Sequence, residues 1–324
     1  MSRKWEKEKG KRKMEKGSVV EQVPARPEAW VDADAESVSA GRSKTSRAGS
    51  RAQPAVPPFP FSFFPFPDAQ QPMTWTTHTH STPAALAGAV ADRIAVAMDL
   101  ALAERRQALL ALAGGRTSPP VFRQLASAQR DWSRVTILPS DERWVAADHA
   151  DNNLRQMREA FAGADGIHWL SLVPALPTGD ADAGYANAAL AEYPQAFDVA
   201  MLGMGADGHF ASLFPGAPNL AAALQVPATV GADSVRDQGP SPTASAAEDA
   251  VAILPDPMPA AGPHPRVSLS LARLLRSRLL LLVITGADKR AVLEQARAEG
   301  DASMLPVAAL LRAAHPAAEV HWSP

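Results

Sequence analysis

From Ala108 onward the chain repeatedly brings a short aliphatic run to a stop at a glycine or a charged cluster and follows it with a helix-length stretch. The runs are Ala108–Ala113, Val135–Leu138, His168–Val173, Phe197–Leu202, Val267–Leu271, Leu279–Thr285 and Glu319–Trp322. Each is strand length. Between them, Pro119–Ala128, Asp151–Phe161, Ala183–Glu192 and Ala287–Ala298 read as helices; Leu154, Met157 and Phe161 mark one 3.6-residue face. Ahead of them Thr82 is an N-cap with Pro83 at the first helical position, and the helix runs to about Arg106. Strands separated by helices of about 10–15 residues need crossover connections, which force a parallel sheet with helices on both faces. The expected fold is α/β, a three-layer Rossmann-like, mostly parallel sheet.

Two segments do not obey that rhythm. Residues 1–17 hold eight Lys or Arg and three Glu, and residues 54–72 hold seven Pro and five of the ten Phe. Proline at that density stops both helix and central strand, so residues 1–72 read as a disordered or extended N-terminal extension. A basic arm, a targeting peptide at Ser37–Arg51 and a polyproline ligand at Pro57–Pro67 are the functional readings. Interleaved Glu6, Glu8 and Glu15, the lack of an apolar leader and the irregular Pro spacing weigh against them. The expectation is that Met73 is the true start and that one domain spans 73–324. A second Pro-rich stretch, 231–265, reads as a surface insertion of low order.

Composition excludes several classes. With 32 Lys+Arg against 34 Asp+Glu, no global charge draws the chain to nucleic acid or to an anionic membrane. The absence of Cys removes disulfides, thiolate ligands and a cysteine nucleophile. The strongest apolar run, Leu279–Ile284, is far short of the roughly 20 residues of a membrane helix. A cytoplasmic chain, a monomer or weak homo-oligomer, is expected.

Ligands of open parallel sheets sit at the carboxyl ends of the strands. Four loops there carry chemistry. Gly114-Gly115-Arg116-Thr117 opens a helix and offers backbone N–H groups to an anion. Asp141-Glu142-Arg143 packs two carboxylates and a guanidinium against a strand end. Gly203–His209 contains Asp207, His209, Gly205 and Gly208, and Gly286–Arg290 supplies Lys289 and Arg290. Singly, each also reads as a turn, a solvated ion-pair cluster or a surface helix start; four in register favour a site. Gly203–Gly208 satisfies G-x-G-x-x-G, but Pro215-Gly216 cuts any following helix short and no acid stands about 20 residues on, which argues against a dinucleotide site. It offers instead a carboxylate beside an imidazole, the pairing a general base needs. No Ser lies in a G-x-S-x-G elbow. His149 is expected at the rim of the site, and His321 packed in the last strand. His78 and His80 suggest a metal pair, but no third ligand is spaced to join them, so a disordered position and no metal are expected.

GGRT, SDERW followed by ADHADNN, LGMGADGHFASLFPG and VITGADKRAVLEQA together resemble the 6-phosphogluconolactonase family, relatives in fold of glucosamine-6-phosphate deaminase and ribose-5-phosphate isomerase. The likeness runs from about Met73 to Pro324, including LPVAALLRAAH and VHWSP. It implies hydrolysis of 6-phospho-D-glucono-1,5-lactone, a sugar-phosphate substrate, with no metal or cofactor, in the cytosol. It implies His209 as general base, Asp207 as its orienting partner, and oxyanion donors near Gly205 and Gly208. It further implies a phosphate gripped by Arg143 with Lys289 or Arg290, a sugar side lined by Gly114, Gly115, Arg116, Thr117 and Asn153, and Asp141 and Glu142 holding shape or hydroxyls. Departures are Ala113 where the family has Ser, Ser118 between Thr117 and Pro119, Phe210 where Thr is common, Pro139-Ser140 ahead of Asp141, and the 231–265 insertion. A sibling deaminase or isomerase, or a non-catalytic sugar-phosphate binder, are the alternatives.

Overall fold

A computed structural model describes residues 75–227, 248–259 and 262–324. The extension expected over 1–72, and residues 231–247 and 260–261 of the insertion, lie outside the described residues.

In chain order the elements are β1 (Thr76–Thr79), α1 (Pro83–Arg105), β2 (Ala108–Leu112), α2 (Ser118–Ala126), β3 (Val135–Pro139), β4 (Asp141–Arg143) and α3 (Asn153–Ala160). There follow β5 (His168–Trp169), α4 (Gly184–Ala191), β6 (Val199–Leu202), α5 (Leu220–Ala223), β7 (Ala250–Ile253) and β8 (Arg266–Leu269). The series closes with α6 (Leu271–Leu275), β9 (Leu280–Thr285), α7 (Ala287–Glu299), α8 (Val307–Arg312) and β10 (Ala318–Ser323). Thr82 caps α1 as its sequence suggests, accepting a bond from Ala85 N with Pro83 in the first turn.

Seven strands form one sheet in the order β1-β10-β9-β6-β2-β3-β5, every pair parallel. The two-residue period of a strand sorts its side chains between two cores. In β9, Leu280, Leu282 and Ile284 enter the core beneath α4–α8, while Leu281 and Val283 enter the core beneath α1–α3. Such strands are buried on both faces, which is why they read as unbroken aliphatic runs. This is the three-layer α/β sandwich expected from the alternation of runs and helices. The chain goes from β2 outward to β3 and β5, then returns to the other side of β2 with β6. The order therefore reverses between β2 and β6, and a crevice opens at their carboxyl ends.

Three features depart from the sequence reading. The run at Val267 is not in the parallel sheet: β8 joins β4 and β7 in a small antiparallel sheet. Within the Pro-rich stretch, Ala250–Ile253 is an edge strand of that sheet, its four aliphatic residues too short a run to stand out among the prolines of the stretch. Thr76–Thr79, expected to be disordered, pairs in register with β10, because the last strand would otherwise expose an open edge. No helix among the described residues is long and apolar enough to cross a membrane.

Candidate active site

The row β9-β6-β2-β3 brings the four loops singled out above to one end of the sheet. At its centre the chain leaves β6 and turns through Gly203–His209. Gly205 N donates to His209 O at 2.9 Å and Gly208 N to Gly205 O at 3.2 Å, closing the turn. Asp207 Oδ1 lies 2.5 Å from His209 Nδ1. Gly205 has to be glycine here: a Cβ would overlap both the His209 ring and the Asp207 carboxylate. Burial pushes the Asp207 carboxyl up, but the hydrogen bond and charge of His209 outweigh it and hold it below the ordinary range. The other face of the imidazole lies on Phe214, with centroids 4.3 Å apart. Nδ1 is thus committed to Asp207, leaving Nε2 as the nitrogen that can exchange a proton.

The turn is anchored from below. Phe210 is fully buried, and Ser212 Oγ donates to Asp141 Oδ2 at 2.6 Å. Ser140 Oγ donates to Asp141 Oδ1 at 2.9 Å, so both oxygens of that carboxylate are engaged, and the bond from Ser212 ties the His209 segment to β4. Glu142 is completely buried and accepts from the N–H groups of Arg143, Asn153 and Leu154, which makes it the anionic cap of α3. Burial nevertheless raises its pKa to about 7 against those three donors. Asn153 is buried too; it accepts from Arg143 Nη1 and donates to Asp141 O at 2.7 Å. Gly114 lies so close to Asn153 that a Cβ would overlap its amide.

The polar atoms of Asp141, Glu142 and Asn153 are engaged in holding Arg143, the start of α3 and the His209 turn; for Asp141 and Glu142 this is the shape-holding alternative of the sequence reading, whereas Asn153 was expected to line the sugar side. The Gly205 and Gly208 N–H groups, expected as oxyanion donors, are bonded within the turn instead. Arg290 is also redirected. Its guanidinium stacks over the Trp322 ring, 4.4 Å from the centroid, while Lys289 is half-buried within reach of the charges of Asp288, Arg116 and Asp207. Burial lowers the Lys289 pKa, a tendency that Arg116 reinforces and that Asp288 and Asp207 oppose. Gly115 takes a φ of +87°, and Thr117 starts α2 without a side-chain cap bond. Both stay in the loop beside Arg116.

Arg266 is a member of the site that the sequence did not reveal. Its guanidinium lies 6.0 Å from the Phe214 ring, donates through Nη2 to Gly262 O at 2.7 Å, and keeps Nε and Nη1 buried without a partner. Burial lowers its pKa, a tendency that Arg143 reinforces and that the charges of Asp141, Glu142 and Asp151 oppose. Arg143 Nε is likewise buried and unpartnered. Neither arginine forms an ion pair with a carboxylate among the described residues. Two adjacent guanidiniums with open donors call for an anion. The only sequence signal for Arg266 was a basic residue opening an aliphatic run. His264 pairs with Asp151 at 2.9 Å and His149 stacks edge-on to His264.

Residues 81–322 match the family described as glucosamine-6-phosphate isomerases/6-phosphogluconolactonase. The chain belongs to that family. The 6-phosphogluconolactonase of Rhizobium meliloti (strain 1021) is 34% identical over 244 residues, covering 75% of this chain and 96% of that protein. The 6-phosphogluconolactonase of Pseudomonas putida is 34% identical over 241 residues, covering 74% and 89%. Among solved structures, a 6-phosphogluconolactonase from Shewanella baltica OS155 aligns with a TM-score of 0.67 at 32% identity, over 77% of this chain and 98% of that one. The family match begins just before α1 and ends within β10, so it takes in all four loops at the strand ends.

Proposed function

We infer that this member of the family is a lactone hydrolase that opens 6-phospho-D-glucono-1,5-lactone to 6-phospho-D-gluconate, within the pentose phosphate pathway, with His209 as its general base. The observation that carries the mechanism is the Asp207–His209 pair, its Nδ1 bound at 2.5 Å, set between two groups of cations. His209 Nε2 takes a proton from water as the water oxygen bonds to C1 of the lactone. The bond from C1 to the ring oxygen then breaks, and the imidazolium returns the proton to that oxygen. Asp207 holds the tautomer and stabilises the transient imidazolium.

The two cationic groups divide the substrate between them. Lys289 and Arg116, at the N-terminal ends of α7 and α2, take the 6-phosphate together with the Gly114-Gly115 backbone. Arg143 and Arg266, on the Phe214 side of the imidazole, meet the lactone carbonyl as it becomes an oxyanion. Lys289→Met then raises KM, whereas Arg266→Met lowers kcat, each by roughly 10–100-fold for a lost charged hydrogen bond. The enzyme works in the cytoplasm as a monomer or weak homo-oligomer and binds no nucleic acid.

The test is His209→Ala on freshly generated lactone, with 6-phosphogluconate formation as the readout. A fall in kcat of at least about 10²-fold with an unchanged thermal midpoint is expected. Full activity in the variant overturns the mechanism. Ammonia release from glucosamine-6-phosphate without lactone turnover overturns the substrate.

A further inference from the structure

At the far edge of the sheet a second histidine cluster lies on the face covered by α1. The parallel register of β1 with β10 sets His78 directly beside His321, and the two-residue period puts Glu319 on the same face. Glu319 Oε2 is 3.1 Å from His321 Nε2 and 3.8 Å from His78 Nε2. One donor atom from each of the three residues lies within 4.8 Å of the other two. We propose that His78, Glu319 and His321 form a binding site for a divalent transition-metal ion, with Zn2+ the best match.

The surrounding contacts suit that role. His321 is buried, and its Nδ1 lies 3.1 Å from His80 Nε2, so Nε2 is the nitrogen turned to the ion and His80 fixes the ring's orientation. Glu319 Oε1 accepts from Arg93 Nε at 2.9 Å, which holds the carboxylate from the α1 side and leaves Oε2 for the metal. His78 is the exposed member: its ring stacks on His321 with centroids 4.7 Å apart, 43% of its side chain is exposed, and rotation about its side-chain bonds brings Nε2 toward Glu319. Donors on a tetrahedral ion with bonds of about 2.0–2.2 Å stand roughly 3.3 Å apart, between the two distances seen here. Two imidazoles and one carboxylate select Zn2+, Co2+ or Ni2+ over the all-oxygen ions Mg2+ and Ca2+. A fourth position stays open to water.

Bound there, the ion links β1 to β10, the first and last strands of the sheet. Its effect is on stability, because His209 stands at the carboxyl end of β6, separated from β10 by β9.

The experiment uses the full chain stripped of metal, carrying His264→Ala to silence the second ligand cluster of His149, Asp151 and His264. Co2+ serves as the visible probe and Zn2+ as the stabilising ion. One equivalent of Co2+ is expected to bind with the absorption of a tetrahedral nitrogen–oxygen site. Zn2+ at about 100 times its Kd is expected to raise the thermal midpoint by roughly 5–10 °C. Adding His78→Ala abolishes both effects; adding Glu319→Gln instead weakens binding at least about tenfold. In the otherwise native chain, His78→Ala leaves lactone hydrolysis unchanged. Absence of Co2+ uptake, or uptake and a Zn2+ shift that survive His78→Ala, overturns the proposal.

Discussion

Two carboxylate–imidazole pairs in this molecule share the same spacing, with the acid two residues before the histidine. Asp207 and His209 sit in a glycine turn beyond the end of β6; Glu319 and His321 sit within β10. In the turn the two side chains bend onto each other at 2.5 Å, and 28% of the His209 side chain faces solvent. In the strand, alternation puts both side chains on one face, 3.1 Å apart, and the sheet and α1 bury the imidazole to 5% exposure. Arg93 pairs with Glu319, so that carboxylate already has its counter-ion. Among the described residues Asp207 forms its ion pair with its own imidazole, and its charge is felt by Lys289. The same two groups are presented to an open strand-end loop where the backbone turns, the place proposed for proton transfer, and are laid under a helix where it runs in a strand, the place proposed for a metal ion.

The sharpest way to separate the two pairs is to neutralise each acid. Asp207→Asn removes the partner that fixes the His209 tautomer, and kcat should fall by at least about 10²-fold. Glu319→Gln, measured in the same assay, should leave kcat unchanged; an equal loss in both would erase the distinction. Gly205→Ala attacks the turn itself. The added methyl displaces the His209 ring and the Asp207 carboxylate, and a displacement of about 1 Å costs roughly 10²-fold in kcat. The thermal midpoint moves little, because the overlapping atoms belong to side chains able to swing aside.

Smaller effects test the scaffold beneath the turn. Ser212→Ala strips a donor from the buried Asp141 carboxylate, which costs about 1–3 kcal/mol. That corresponds to a drop of roughly 3–10 °C in thermal midpoint, readable by calorimetry. Glu142 gives a pH-dependent signature. Its pKa in the folded protein, about 7, lies above its ordinary 4.5, so between those values the folded state holds a proton that the unfolded state has released. Stability from this group therefore falls as pH rises from about 4.5 to about 7, and the loss is complete above that. Glu142→Gln, its neutral isostere, removes the dependence. The thermal midpoint of the wild type relative to the variant should decline by a few °C from pH 5 to pH 8, and a gap that widens in favour of the wild type would contradict the assignment.

Much of the architecture was legible because its signals are local. Buried parallel strands must be aliphatic on both faces, so β2, β3, β6 and β9 show as uninterrupted runs. The loops after them carry glycine and charge because that is where the backbone must turn and a ligand approach. Asp207 and His209 are two residues apart, so their pairing needed only a turn. β7 was missed because its four residues, AVAI, are a short run lying in a stretch otherwise rich in proline, and β1 because TTHT carries no aliphatic pattern. Arg266 was missed because nothing near it in sequence shows that Gly262, Phe214 and Arg143 will surround it.

By itself, then, the sequence determined the layered α/β fold, the four loops and the imidazole with its acid, all set by periodicity and by contacts within a few residues. Only the tertiary structure decided which cations face the imidazole. It placed Lys289 within reach of the Asp207 charge and Arg290 on Trp322 although they are adjacent in sequence, because successive positions on a helix point about 100° apart. It also showed which scaffold groups the polar atoms of Asp141, Glu142 and Asn153 are bonded to. And it gave His78 and His80 the partners they lack in sequence, Glu319 and His321, because a parallel edge strand places the first and last strands of the sheet side by side.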